Sequence, residues 1–120
     1  MKNIPLERKI TDQILYNLKS GGGWWMKTHG GAMQVAGLPD IIGVCSGYFF
    51  ALEVKRPKVG VATALQISVL RAIYRNGGVA AIVTSAEEAK AVLDNFAVMP
   101  RPLCEPTDFE AWLRTWYNAV

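Results

Sequence analysis

GLPDIIGVCSGYFFALEVKRP, from Gly37 to Pro57, carries no charged residue between Asp40 and Glu53. It reads as protein interior, yet an acid opens it and Glu-Val-Lys-Arg closes it. Ser46-Gly47, flanked by apolar runs, is a turn signal. A two-residue hairpin loop there sets Cys45 opposite Tyr48, Val44 opposite Phe49, Gly43 opposite Phe50, Ile42 opposite Ala51 and Ile41 opposite Leu52. Asp40 then falls opposite Glu53. Side chains alternate along a strand, so Asp40, Glu53 and Lys55 share one face, while Leu52 and Val54 point the other way, into packing.

Opposed residues hold their Cβ atoms about 5 Å apart. Two ionised carboxylates at that separation repel by roughly 3 kcal/mol at an effective dielectric of 20. Two arrangements relieve this. The acids can sit at the wet end of the hairpin, with Lys55 as a surface salt-bridge partner. Alternatively they can share a hard divalent cation, which takes oxygen ligands of this kind. A different loop length would shift the register and undo the pairing.

Working outward, Leu6, Ile10, Ile14 and Leu18 recur at helical spacing after Pro5, and the glycines at 21–23 end that helix. WWMKT at 24–28 reads as a short strand, and THGGAMQVAG as a loop. After the hairpin and the RPKVGVA connector, 63–76 reads as a helix with Val69, Leu70 and Ile73 on its apolar side, closed by Gly77-Gly78. VAAIV at 79–83 is a buried strand. Residues 85–96 form a helix opened by the capping-box pattern SAEE. A proline-bearing link leads to a last helix over 107–118, with Phe109, Trp112, Leu113 and Trp116 on one side. That side packs on the core or associates with a second copy. The order α-β-β-β-α-β-α, with a C-terminal helix, describes an α/β fold. A crossover helix joins the Glu-Val-Lys strand to VAAIV, so those two strands are expected to be parallel. The hairpin is antiparallel, so the sheet is mixed, with helices on its faces.

A chain of 120 residues, 51% hydrophobic and 19% charged, is expected to form one globular domain. No apolar run reaches membrane-spanning length, and MKNIPLERKI lacks the apolar stretch of a signal peptide, which points to a cytoplasmic protein with no membrane partner. Cys45 and Cys104 fit no zinc spacing and read as plain thiols in a reducing compartment. The net charge of +3 permits a polyanionic partner without requiring one. SGGGWW is not followed by Gly-Lys-Ser/Thr, so it is no phosphate-binding P-loop. A serine or cysteine hydrolase needs a histidine base, and His29, the single histidine, has no partner pattern.

Gly37-Leu38-Pro39-Asp40 followed by an apolar strand and Glu53-Val54-Lys55 resembles the signature of the PD-(D/E)XK nuclease superfamily. More narrowly, the chain resembles stand-alone VRR-NUC domains over residues 6–97, leaving 98–120 as a C-terminal extension. Glu7, Asp40, Glu53, Lys55 and Gln66 stand where those domains carry a helix acid, G-x-P-D, E-V-K and a downstream Gln. The resemblance implies a restriction-endonuclease-like core and a metal-dependent DNA endonuclease of bacterial or phage-infected cells. It implies that Asp40, Glu53, the Val54 carbonyl and Glu7 hold Mg²⁺ or Mn²⁺, and that Lys55 positions water or stabilises the transition state. It also implies that Gln66 orients phosphate or water. Small stand-alone members are regarded as dimeric enzymes that cut four-way junctions, so a homodimer acting on branched DNA is the expectation by analogy.

Several of these residues have plainer readings. Glu7 is also an acid in a first helical turn, favoured by the helix dipole, and Gln66 is also the N3 partner of a capping box begun by Thr63. Lys27 and His29, near the end of the first strand, and Arg56 and Lys58, beside the proposed site, are candidate phosphate contacts or simply solvated groups. The competing functions are a nuclease for flaps, nicks or duplex DNA and a DNA-binding module without catalysis. The intact Asp40, Glu53 and Lys55 set weighs against the module.

Overall fold

The computed structural model describes residues 4–28 and 35–95. His29 and the expected helix at 107–118 lie outside them. Among the described residues the chain runs α1 (Glu7–Lys19), β1 (Trp24–Lys27), β2 (Ile41–Cys45), β3 (Tyr48–Val54), α2 (Ala64–Arg75), β4 (Val79–Val83) and α3 (Ala86–Asn95). The strands form one mixed sheet in the order β1-β2-β3-β4. β1, β2 and β3 are antiparallel neighbours, and β3 and β4 run parallel across the α2 crossover.

The hairpin has the expected register, with Cys45 opposite Tyr48 through to Ile41 opposite Leu52. Ser46 (φ 53°) and Gly47 (φ 83°) both adopt left-handed backbone, the conformation of a type I′ turn whose twist matches the flanking strands. That turn fixes the register, and with it the level at which Asp40 meets the end of β3.

One face of the sheet packs Trp25, Ile41, Phe50, Leu52, Val54, Val79, Ala81 and Val83 against α1 and α3. On the other face Ala80 and Ile82 meet Ile67, Leu70 and Tyr74 of α2. Every residue of VAAIV is buried, because helices cover β4 on both sides. Gly43 is needed where it stands: a Cβ there would lie 2.2 Å from the Trp25 ring, which crosses β2 to meet Phe50 edge-on at 5.5 Å.

Three details differ from the sequence reading. Leu6 is the N-cap of α1 and 65% exposed, so the buried stripe of that helix is Ile10, Thr11, Ile14 and Leu18. The buried stripe of α2 is Ile67, Leu70 and Tyr74, rotated from the expected one and leaving Val69 and Ile73 half-buried. At α3, Ser85 Oγ accepts from Glu88 N as a cap should, but Glu88 Oε1 reaches one residue further back, to Thr84 N and Oγ1. Among the described residues no helix is long and apolar enough to cross a membrane.

Candidate metal centre

Asp40 is delivered by the GLPD loop. Gly37 has φ 80°, and a Cβ on it would lie 2.7 Å from Leu65 Cγ of α2, so only glycine fits there without strain. Pro39 is fully buried. Thr28, just past β1, donates its hydroxyl to the Pro39 carbonyl at 2.6 Å and its N–H to the Asp40 carbonyl at 2.8 Å. The Asp40 carboxylate then accepts the Val54 N–H through Oδ2 at 2.8 Å. Val54 therefore touches the site through its N–H, a contact that the alternation pattern does not predict. Thr28 is a further contributor with no signal in the sequence, since its partners lie across a loop.

Glu53 does not sit at a wet strand end. It is 1% exposed and Lys55 is 7% exposed, and Lys55 Nζ stands 3.5 Å from Glu53 Oε2. Gln66 satisfies both of its readings at once. Its Oε1 accepts from Thr63 N and its N–H donates to Thr63 Oγ1, completing the capping box, while its Nε2 donates to Glu53 Oε2 at 3.0 Å. The helix cap thereby fixes the amide that orients the acid.

Glu7, in the first turn of α1, brings a third carboxylate to this corner. Glu7, Asp40 and Glu53 each place a carboxylate oxygen within 4.8 Å of the others. Burial first, then the facing Asp40 carboxylate and Glu7, push the Glu53 carboxyl up to about 9, with Lys55 opposing. Glu7 is also raised, first by burial and then by Asp40, against the lowering pull of Lys55 and Arg56. Among the described residues, Glu53 Oε1 is buried without a hydrogen-bond partner. A buried oxygen without a donor is costly, and a hard cation satisfies such an oxygen without needing a proton. The donor set of three carboxylates therefore fits Mg²⁺ or Mn²⁺.

Of the described candidate phosphate contacts, Lys27 and Lys58 point elsewhere and Arg56 is engaged with backbone beside the site. Lys27 pairs with Asp12 on α1 at 3.1 Å. Lys58 is exposed, at a left-handed φ of 68°. Arg56 donates from Nε to the Pro5 carbonyl at 3.0 Å and from its terminal nitrogen to the Ile4 carbonyl at 2.9 Å. Gly60 packs against the backbone behind the site: a Cβ there would lie 2.6 Å from the Arg56 carbonyl oxygen and 2.7 Å from Lys55 Cβ.

A solved structure described as a VRR_NUC domain superimposes with a TM-score of 0.61 at 16% identity, covering 75% of this chain and 96% of that one. The chain has the VRR-NUC fold. No family model and no curated sequence matches it. On this VRR-NUC fold the G-x-P-D loop, the E-V-K strand end, the first turn of α1 and the capping Gln of α2 meet at one corner of the sheet.

Proposed function

We propose that the chain is a divalent-metal-dependent DNA endonuclease that hydrolyses phosphodiester bonds. The observation that carries this reading is the buried Glu53 Oε1, with no donor among the described residues, set among three carboxylates with a buried ammonium beside them. Glu7, Asp40, Glu53 and the Val54 carbonyl would hold Mg²⁺ or Mn²⁺. Bound there, such an ion polarises the scissile phosphate and lowers the pKa of a water.

The chain's own groups supply the rest. Val54 N–H fixes one Asp40 oxygen, and an Asp40 carboxylate oxygen lies within 4.8 Å of those of Glu7 and Glu53. Gln66 Nε2 donates to Glu53 Oε2 and so orients that carboxyl group. Lys55, anchored at Glu53 Oε2, is the charge that orients the attacking water or stabilises the added negative charge on the phosphate in the transition state. As a compact ammonium it serves either role.

Preference for branched DNA, and action as a homodimer, are part of the proposal. They rest on the resemblance to stand-alone VRR-NUC domains, in which a two-fold pair of sites suits a four-way junction. The test is cleavage of labelled four-way, flap and linear DNA with Mg²⁺, Mn²⁺ or EDTA, beside Lys55→Ala and Asp40→Ala. Metal-dependent cutting that both substitutions reduce by at least about a hundredfold supports the reading. Cutting confined to flaps or linear duplex removes the junction preference, and DNA binding with no metal-dependent cutting leaves a binding module.

A further inference from the structure

The cation site draws Glu7 from a helix end that is weakly fixed by its own sequence. α1 begins at Glu7 behind Leu6, an N-cap with no side-chain hydrogen bond to the helix. Leucine lacks the oxygen through which Ser, Thr, Asp or Asn satisfies the first free N–H groups. Leu6 is also exposed, and the first buried anchor of α1 is Ile10. A first turn of this kind frays readily, yet it carries one of the three acids.

A tie from outside the helix secures it. Arg56 follows Lys55 directly, and its guanidinium grips the consecutive carbonyls of Ile4 and Pro5. Arginine's rigid fork suits two acceptors at once, whereas lysine offers a single point charge. The strand end carrying Glu53 and Lys55 is thus strapped to the two residues that lead into Leu6 and Glu7.

We propose that Arg56 is a positioning residue: by clasping the Ile4 and Pro5 carbonyls it holds the Glu7 carboxylate beside Asp40 and Glu53 and so completes the cation site. This rests on the reading of the three carboxylates as a cation site. It makes a prediction opposite in sign to simple electrostatics. Arg56 is a positive charge close enough to act on Glu7. If charge were its whole effect, removing it would tighten cation binding. If it positions Glu7, removing it loosens cation binding.

The experiment is Mn²⁺ titration of the whole chain by calorimetry at pH 8, without DNA, for wild type, Arg56→Ala, Arg56→Lys, Glu7→Gln and the Glu7→Gln/Arg56→Ala pair. Arg56→Ala and Glu7→Gln are each expected to raise the Mn²⁺ Kd about tenfold, the scale of a lost supporting contact at a metal site. The pair is expected to bind within about twofold of Glu7→Gln alone, because Arg56 acts through Glu7. Arg56→Lys, which keeps the charge without the fork, is expected to bind as weakly as Arg56→Ala. If Arg56→Ala does not fold, Arg56→Lys and Glu7→Gln/Arg56→Lys form the same cycle.

Tighter or unchanged Mn²⁺ binding in the Arg56 variants, or fully multiplicative losses in the pair, would overturn the proposal. Unchanged Mn²⁺ binding together with weaker DNA binding in EDTA would overturn it in favour of a phosphate contact. A wild-type chain that binds no Mn²⁺ would remove the cation site itself, an outcome distinct from a wild type that binds while the Arg56 variants match it.

Discussion

Cation binding to this chain is expected to tighten with rising pH and to release a proton. The Glu53 carboxyl is pushed up to about 9, so at pH 7 it holds its proton when no cation is present. Mn²⁺ must displace that proton to use both oxygens. Ionising a group two pH units below its pKa costs about 3 kcal/mol, roughly a hundredfold in apparent Kd. Between pH 6 and pH 8 each unit should therefore tighten Mn²⁺ about tenfold, flattening as pH approaches 9. Calorimetry in two buffers of different ionisation heat at pH 7 reads the proton directly, with about one released per ion. A Kd that is the same at pH 6 and pH 8, with no buffer dependence of the heat, would refute the account in which a proton-holding Glu53 becomes a ligand.

The same group sets how stability depends on pH in the cation-free protein. Above the ordinary value of 4.5 the unfolded chain ionises Glu53 while the folded chain keeps it protonated until about 9, so stability falls as pH rises across that window. Glu53→Gln should remove this fall, matching wild type at pH 4 and exceeding it by about 3 kcal/mol at pH 7 in urea unfolding, while losing the stabilising response to Mg²⁺. Gln66→Ala should cost about 1 kcal/mol through the lost cap and also weaken Mn²⁺ binding by freeing Glu53 Oε2, and a unified loss in both measurements is the check. Gly43→Ala drives a Cβ into the Trp25 ring and should lower the urea midpoint by the equivalent of at least about 1–3 kcal/mol.

The hairpin was readable from its residues because its register depends on local chemistry. Ser46-Gly47 admits left-handed backbone, and a two-residue loop leaves one pairing. VAAIV and the Thr63–Gln66 cap were readable for similar reasons, since continuous apolarity and N-cap spacing are local signals. That Asp40, Glu53 and Lys55 share a face followed from the loop length together with alternation, while their reading as a site came from the resemblance to VRR-NUC domains. What was not readable depends on where loops go. The depth of burial of Glu53 requires α2, through Gln66, to close over the strand end. The exposure of Leu6 follows from α1 starting one residue later than its periodicity suggests. The Arg56 grip on Ile4 and Pro5 joins residues distant in sequence, and Thr28 reaches Pro39 across a loop. No spacing rule encodes either contact.

The central claim is that Glu7, Asp40 and Glu53 hold one divalent cation. Anomalous diffraction from crystals grown with Mn²⁺ at pH 8 tests it most directly. A peak within about 2.5 Å of oxygens from all three carboxylates, including the Glu53 Oε1 that has no other partner among the described residues, is the predicted result. Well-ordered carboxylates with no peak between them, or Mn²⁺ bound only at other acids, would contradict it.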